Sequence, residues 1–138
     1  MPLPRYKLWL VTGAVFGALS VACGAFGAHG LKQSLNREQL EIWETAARYQ
    51  MYQGLGLLAV GLLAMRHCRA PIHCAGATMA VGSLIFSGCL YALVLTGQRW
   101  LGAVVPIGGV LMIVGWICLA IAAFRHGEAP SDAGRLVE

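Results

Sequence analysis

Two groups of residues in this sequence carry side chains able to do chemistry. His67-Cys68 and His73-Cys74 bring two imidazoles and two thiols into eight residues, ligand types that suit zinc or copper. Their spacing matches no zinc finger, and Pro71 between the halves restricts how they converge, so the segment reads as a connector with no metal and no cofactor expected. The second group is His29, Glu41, Glu44, Arg48, Tyr52 and Gln53, which could together form a polar mouth at the edge of a membrane. Its charges also have a plainer account. Glu44 and Arg48, like Arg37 and Glu41, are four residues apart, where side chains on a helix pair with one another and leave a solvated face. His29 is placed to close a helix, with Gly30 as a left-handed cap and the imidazole near the negative end of the helix dipole.

Catalytic arrangements are missing from both groups. No nucleophile stands beside a local base and no carboxylates pair at catalytic spacing, so an enzyme is not expected. Gly24-Ala-Phe-Gly27 is no phosphate loop, since no strand precedes it and no Lys-Ser/Thr follows.

The elements that must position these residues follow from composition. Of 138 residues, 58% are hydrophobic and only 12% charged, and the mean hydropathy is +0.68. A soluble domain this small has to cover a large surface with polar groups, and sixteen charged side chains are too few. The chain belongs in lipid. Four stretches are free of charge: Leu8 to Ala28, Tyr49 to Met65, Cys74 to Gln98 and Trp100 to Phe124. About 20 helical residues cross a bilayer, so four crossings are expected. Unbroken apolar runs without two-residue alternation exclude barrel strands, which leaves helices. No Asp or Glu lies inside any of the four, which argues against a cation exchanger working through an intramembrane carboxylate.

The fold class is therefore all-α: a four-transmembrane-helix bundle in one domain over residues 1–125, with a polar, flexible cytoplasmic tail over 126–138. The second span reads as the end of a longer helix. Asn36 with Gln39 makes a capping box, Ser34 is a competing cap, and the residues that follow form an amphipathic extension before the apolar run. Gln50 and Gln53, amides at the start of that run, call for partners on a neighbouring helix. Gly97 marks the last hairpin. The fourth helix either starts near Trp100, with Pro106 freeing the carbonyl of Gly102, or starts at Pro106; an interrupted or kinked helix is favoured.

Small residues recur in the first helix at Gly13, Gly17, Ser20, Gly24 and Gly27, steps of four, three, four and three. Such a stripe lets another backbone approach closely and reads as a packing seam. Gly76, Ala80, Ser83 and Ser87 echo it in the third helix, and Gly108, Gly115 and Ala122 in the fourth.

With four crossings, Arg5, Lys7, Arg66, Arg69, Arg125 and Arg135 fall on one side, against Lys32, Arg37, Arg48 and Arg99. The positive-inside rule then puts both termini in the cytoplasm. Ser20-Val21-Ala22 before Cys23 resembles a cleavage site, but the apolar run continues to Ala28, longer than a signal core. The net charge of +4 is spread among loops and implies no nucleic-acid partner. Cys23, Cys89 and Cys118 sit inside spans as small apolar residues, and Cys68 and Cys74 flank a loop on the reducing side, where no disulfide is expected.

Four segments in combination resemble a known family. Gly24-Ala-Phe-Gly-Ala-His-Gly-Leu-Lys32, Thr45-Ala-x-x-Tyr-Gln-Met-Tyr52, Ser87-Gly-x-Leu-Tyr-x-Leu-x-Leu-Thr-Gly97 and Pro106-Ile-Gly-Gly109 with Gly115-Trp116 are similar to the small integral membrane proteins of the YgdD and YwdK type. The resemblance runs from about Leu8 to Phe124. It implies four membrane helices and an uncharacterised molecular function, and it supplies no catalytic residue. Gln53 is a departure, because similar sequences commonly carry His there. The expected role is a structural or accessory membrane component whose partners are the lipid bilayer and either a second copy or another membrane protein. The alternative is a permeation unit for a small solute or ion, lined by His29, Glu44, Arg48 and Gln53.

Overall fold

Long apolar runs without water to satisfy their peptide groups must bond internally, and all regular structure among the described residues is helical. The computed structural model describes residues 4–66 and 70–125. Its elements are α1 (Arg5–His29), α2 (Arg37–Arg66), α3 (Ala70–Thr96) and α4 (Trp100–Phe124). Helices α1, α3 and α4 are each long and apolar enough to cross a membrane. Helix α2 is the longest at 30 residues and holds the charged residues from Arg37 to Arg48 in its first half. The tail over 126–138, together with His67, Cys68 and Arg69, lies outside the described residues.

Local chemistry explains the ends. At the start of α2 the Asn36 amide donates to Gln39 Oε1 at 3.1 Å, while the Gln39 amide donates to Asn36 Oδ1 at 2.9 Å. This reciprocal pair satisfies two amides that the first helical turn leaves free. Helix α1 does end at His29, but Gly30 has φ −80° and ψ −38°, a right-handed conformation rather than the left-handed cap its position suggests. The amides of Gly30 and Leu31 both donate to the carbonyl of Phe26, at 2.7 and 3.0 Å. Glycine leaves room there for the Phe26 ring, which lies 2.7 Å from where a Cβ would stand. Gly97, in contrast, has φ 70° and needs its backbone freedom to end α3. Helix α4 starts at Trp100 and carries Pro106 in its interior, so the proline interrupts one intrahelical bond without delaying the helix.

Chain neighbours pair: α1 lies against α2, α3 against α4, and the two hairpins meet through α2 and α3. Close backbone approach makes each hairpin tight. A Cβ at Gly13 would lie 2.7 Å from the Gly54 carbonyl oxygen on α2, and one at Gly108 would lie 2.6 Å from the Phe86 nitrogen on α3. Between the hairpins Leu57, Val60, Ile72, Ala75 and Met79 are buried, joined by Phe16, Leu119 and Ala122 from the flanks. Outward faces stay apolar, as at Val11, Leu84, Ile113 and Phe124, which suits a lipid surround.

The α3–α4 pairing is open to direct measurement, because Cys74 Sγ and Cys118 Sγ lie 3.7 Å apart. A variant retaining only these two cysteines should form an intramolecular disulfide on mild oxidation, read as loss of two thiols by alkylation and mass spectrometry. A variant retaining only Cys23 and Cys118 should not, and equal yields from the two would contradict the helix arrangement.

Candidate functional site

The inward face of α2 is where polar chemistry concentrates. Trp43, Ala46, Ala47, Gln50, Gln53, Gly54, Leu57, Val60 and Gly61 are buried along it at helical spacing. Small residues let α1 and α3 come close, and polar side chains then reach carbonyls on the neighbouring helix. Ser20 Oγ of α1 donates to the Ala47 carbonyl at 2.6 Å, and Ser87 Oγ of α3 donates to the Ala46 carbonyl at 2.8 Å. From α2, Trp43 Nε1 donates to the Cys23 carbonyl at 2.8 Å and Gln50 Nε2 to the Phe16 carbonyl at 3.3 Å. The Tyr91 hydroxyl of α3 donates to Gln50 Oε1 at 3.1 Å, so Gln50 ties α1, α2 and α3 together. Tyr91 also packs on Trp43, ring centres 4.6 Å apart.

The six residues expected to form one polar mouth are distributed over several places. His29 is exposed at the end of α1. Arg37 pairs with Glu41 at 3.1 Å and Arg48 with Glu44, both on exposed helix surface, as four-residue spacing dictates. Glu44 borders a cavity between α1 and α2 with Lys32 and Trp43, Glu41 borders a separate one with Thr45 and Leu90, and Tyr52 and Gln53 border a third between α2, α3 and α4. Gln53 differs from Gln50: its Oε1 is buried with no hydrogen-bond partner.

The small-residue stripe of α1 is likewise uneven. Gly13, Ser20 and Gly27 are buried, and a Cβ at Gly27 would lie 2.6 Å from the Trp43 ring. At Gly17 the nearest atom is Met51 Sδ at 3.9 Å, and at Gly24 nothing lies within 4 Å. The step pattern placed all five on one side, whereas a side chain would point straight onto α2 only at the first, third and fifth; Gly17 brings its backbone nitrogen to α2, 3.1 Å from where a Gly54 Cβ would stand, and at Gly24 the gap is the cavity that Lys32 and Glu44 border.

His73 and Cys74, expected in a connector, lie within α3. His73 Nδ1 accepts a hydrogen bond from Trp9 Nε1 at 3.1 Å, which joins the start of α1 to the start of α3. The sequence left two participants without assigned roles. Trp43 fell within the amphipathic extension with no role of its own, and Tyr91 appeared only within a family motif; neither has a partner at helical spacing that would announce its bond.

Comparison with known proteins places this arrangement. A family model described as a protein of unknown function, DUF423, matches residues 23–109, more than half of the chain. The chain belongs to this family. The UPF0382 membrane protein of Staphylococcus saprophyticus is 45% identical over 119 residues, covering 86% of this chain and 98% of that protein. The UPF0382 membrane protein YwdK of Bacillus subtilis is 40% identical over 121 residues, covering 87% of this chain and 98% of that protein. No solved structure matches. The resemblance to YwdK-type proteins is thus a family relationship, and the DUF423 chain is a membrane protein whose family has no assigned molecular function.

Glycine positions separate packing from mere composition in this DUF423 chain. Gly13→Ala and Gly108→Ala each push a methyl into backbone of the next helix and should cost roughly 1–3 kcal/mol, seen as a lower unfolding temperature in detergent. Gly24→Ala and Gly88→Ala meet nothing within 4 Å and should leave that temperature unchanged or slightly higher, since Ala favours helix.

Proposed function

We propose that the protein is a structural or accessory component of the bacterial inner membrane, non-enzymatic, with all four helices crossing the bilayer. One observation carries this reading: the hydroxyl, indole and amide groups of Ser20, Trp43, Gln50 and Ser87 donate to backbone carbonyls of neighbouring helices. Groups engaged in holding helices together are not available to carry a solute, and bonds of this kind are a main source of helix association in lipid. Helix α2 crosses because its second half, from Tyr49 onward, is apolar and its charged first half forms an amphipathic extension at the outer surface. The termini lie in the cytoplasm, on the side richer in Arg and Lys. A single domain over residues 1–125 with a cytoplasmic tail follows. The small-residue seams are taken up inside the bundle, and the apolar exterior suits a second copy or another membrane protein as partner.

The competing reading is a permeation unit lined by His29, Glu44, Arg48 and Gln53. Against it stands their distribution, with Glu44 and Gln53 bordering different cavities and Arg48 paired at the surface.

Two measurements test the proposal. Reporters fused at Glu138 and after Arg69 should read cytoplasmic, and one after Arg37 external; an external C-terminus would overturn the topology. Mild-detergent purification from native membranes should recover the same co-purifying proteins from the wild type and from a His29→Ala, Glu44→Gln, Arg48→Gln, Gln53→Leu variant. If that variant stays folded, keeps no partner and abolishes a solute flux that the wild type supports in vesicles, the permeation reading replaces this one.

A further inference from the structure

The cavity between α2, α3 and α4 has a volume of about 500 Å³, within the range of small-molecule sites. Its walls are aromatic and apolar: Tyr49, Tyr52, Phe86, Met112 and Trp116 all border it. Tyr49 and Phe86 already pack together with ring centres 5.1 Å apart, and Tyr49 meets Tyr52 at 5.6 Å. Tyr49, Tyr52 and Trp116 are exposed on the outer surface of the bundle, so the cavity opens sideways, toward lipid.

Gln53 supplies the polar feature. It is 3% exposed, borders the cavity, and its Oε1 has no hydrogen-bond partner. Gln50, one turn earlier, engages both ends of its amide. A buried acceptor without a donor loses its hydration with nothing in exchange, and native proteins rarely leave one. The last torsion of a glutamine is soft, so its oxygen can swing toward a donor in the cavity. No charged side chain borders the space, so an ammonium or phosphate group would lie there uncompensated. A neutral O–H donor attached to a flat ring satisfies both the unpaired oxygen and the aromatic walls.

We propose that this cavity binds a membrane-dissolved aromatic alcohol of the phenol or hydroquinone class. Its hydroxyl donates to Gln53 Oε1, its ring lies among Tyr49, Phe86 and Trp116, and an alkyl tail leaves between the helices into the bilayer. The site is independent of the packing role proposed above. The rival is an internal bond: Ser83 Oγ of α3 is buried and equally without a partner, one turn from Ser87, which bonds α2.

The experiment measures tritiated para-octylphenol binding to the full chain in nanodiscs, with empty nanodiscs subtracted. Saturable binding to one site is expected. Unlabelled para-octylphenol should compete at least about tenfold better than its methyl ether, which keeps ring and tail but cannot donate; tenfold corresponds to about 1.4 kcal/mol, the scale of one hydrogen bond. Gln53→Leu should weaken binding by a similar factor. Trp116→Ala, at a surface position, should also weaken binding and guards against Gln53→Leu failing to fold. Ser83→Ala should leave binding unchanged. Binding that never saturates, or equal competition by the ether, would overturn the proposal and leave a groove for lipid chains only. No binding, together with Ser83→Ala and Gln53→Leu lowering the unfolding temperature equally and non-additively, would overturn it in favour of a Ser83–Gln53 bond.

Discussion

A hydroxyl or amide buried among helices in lipid has no water to fall back on, and the carbonyl of a neighbouring helix is then the partner within reach. That constraint governs how α2 sits. Helix α2 has the most polar inward face of the four, with Trp43, Gln50 and Gln53 buried on it. It can be buried only if α1 and α3 come close enough for their carbonyls and side chains to meet those groups. The bonds from Ser20 and Ser87 to Ala47 and Ala46 close the same two interfaces from the other side. Because Ala46 and Ala47 are adjacent, one turn of α2 is held by both neighbours at once.

Close approach requires small side chains as much as it requires hydrogen bonds. Gly13 meets Gly54 across α1 and α2, and Gly82 meets Gly108 across α3 and α4. At these crossings backbone lies against backbone, which gains dispersion contacts that lipid, as apolar as any leucine, cannot undercut. The hairpins are therefore sealed by glycine, while the junction between them is filled by larger residues such as Leu57, Ile72 and Met79. Polar bonding and bulk apolar packing share the α2–α3 interface, the first at the end holding Trp43 and Tyr91, the second toward Val60 and Ile72.

Charge is confined to the other half of the problem. Arg37, Glu41, Glu44 and Arg48 pair along the exposed side of α2 and satisfy one another without entering the bundle. Exposed pairs of this kind contribute little stability, roughly 0.3–0.5 kcal/mol each, so their value is in keeping this half of the helix wettable. The polar atom on the inward face of α2 that breaks the pattern is Gln53 Oε1, which has no partner and lies on a residue bordering the cavity between α2, α3 and α4.

Helix class, helix number, the long α2 and its Asn36–Gln39 cap were legible in the sequence, because apolar run length and capping chemistry are local properties. So was the pairing of Arg48 with Glu44, since four residues along one helix is a fixed geometry. What a step pattern cannot contain is the course of a second helix. Gly13 and Gly24 have the same residue type and sit in the same stripe, yet one is pressed against Gly54 and the other faces a gap, because contact depends on which edge of the stripe α2 runs along. Gly30 was legible as a helix end but not as a right-handed one, since residue type permits either hand and the backbone after His29 settles which is used. Gln50 and Gln53 are the sharpest case: two amides three residues apart, of which only tertiary structure decides that one is shared between Phe16 and Tyr91 while the other is left with an unpaired oxygen. A side chain's type states what it needs, and the neighbouring helix decides whether the need is met.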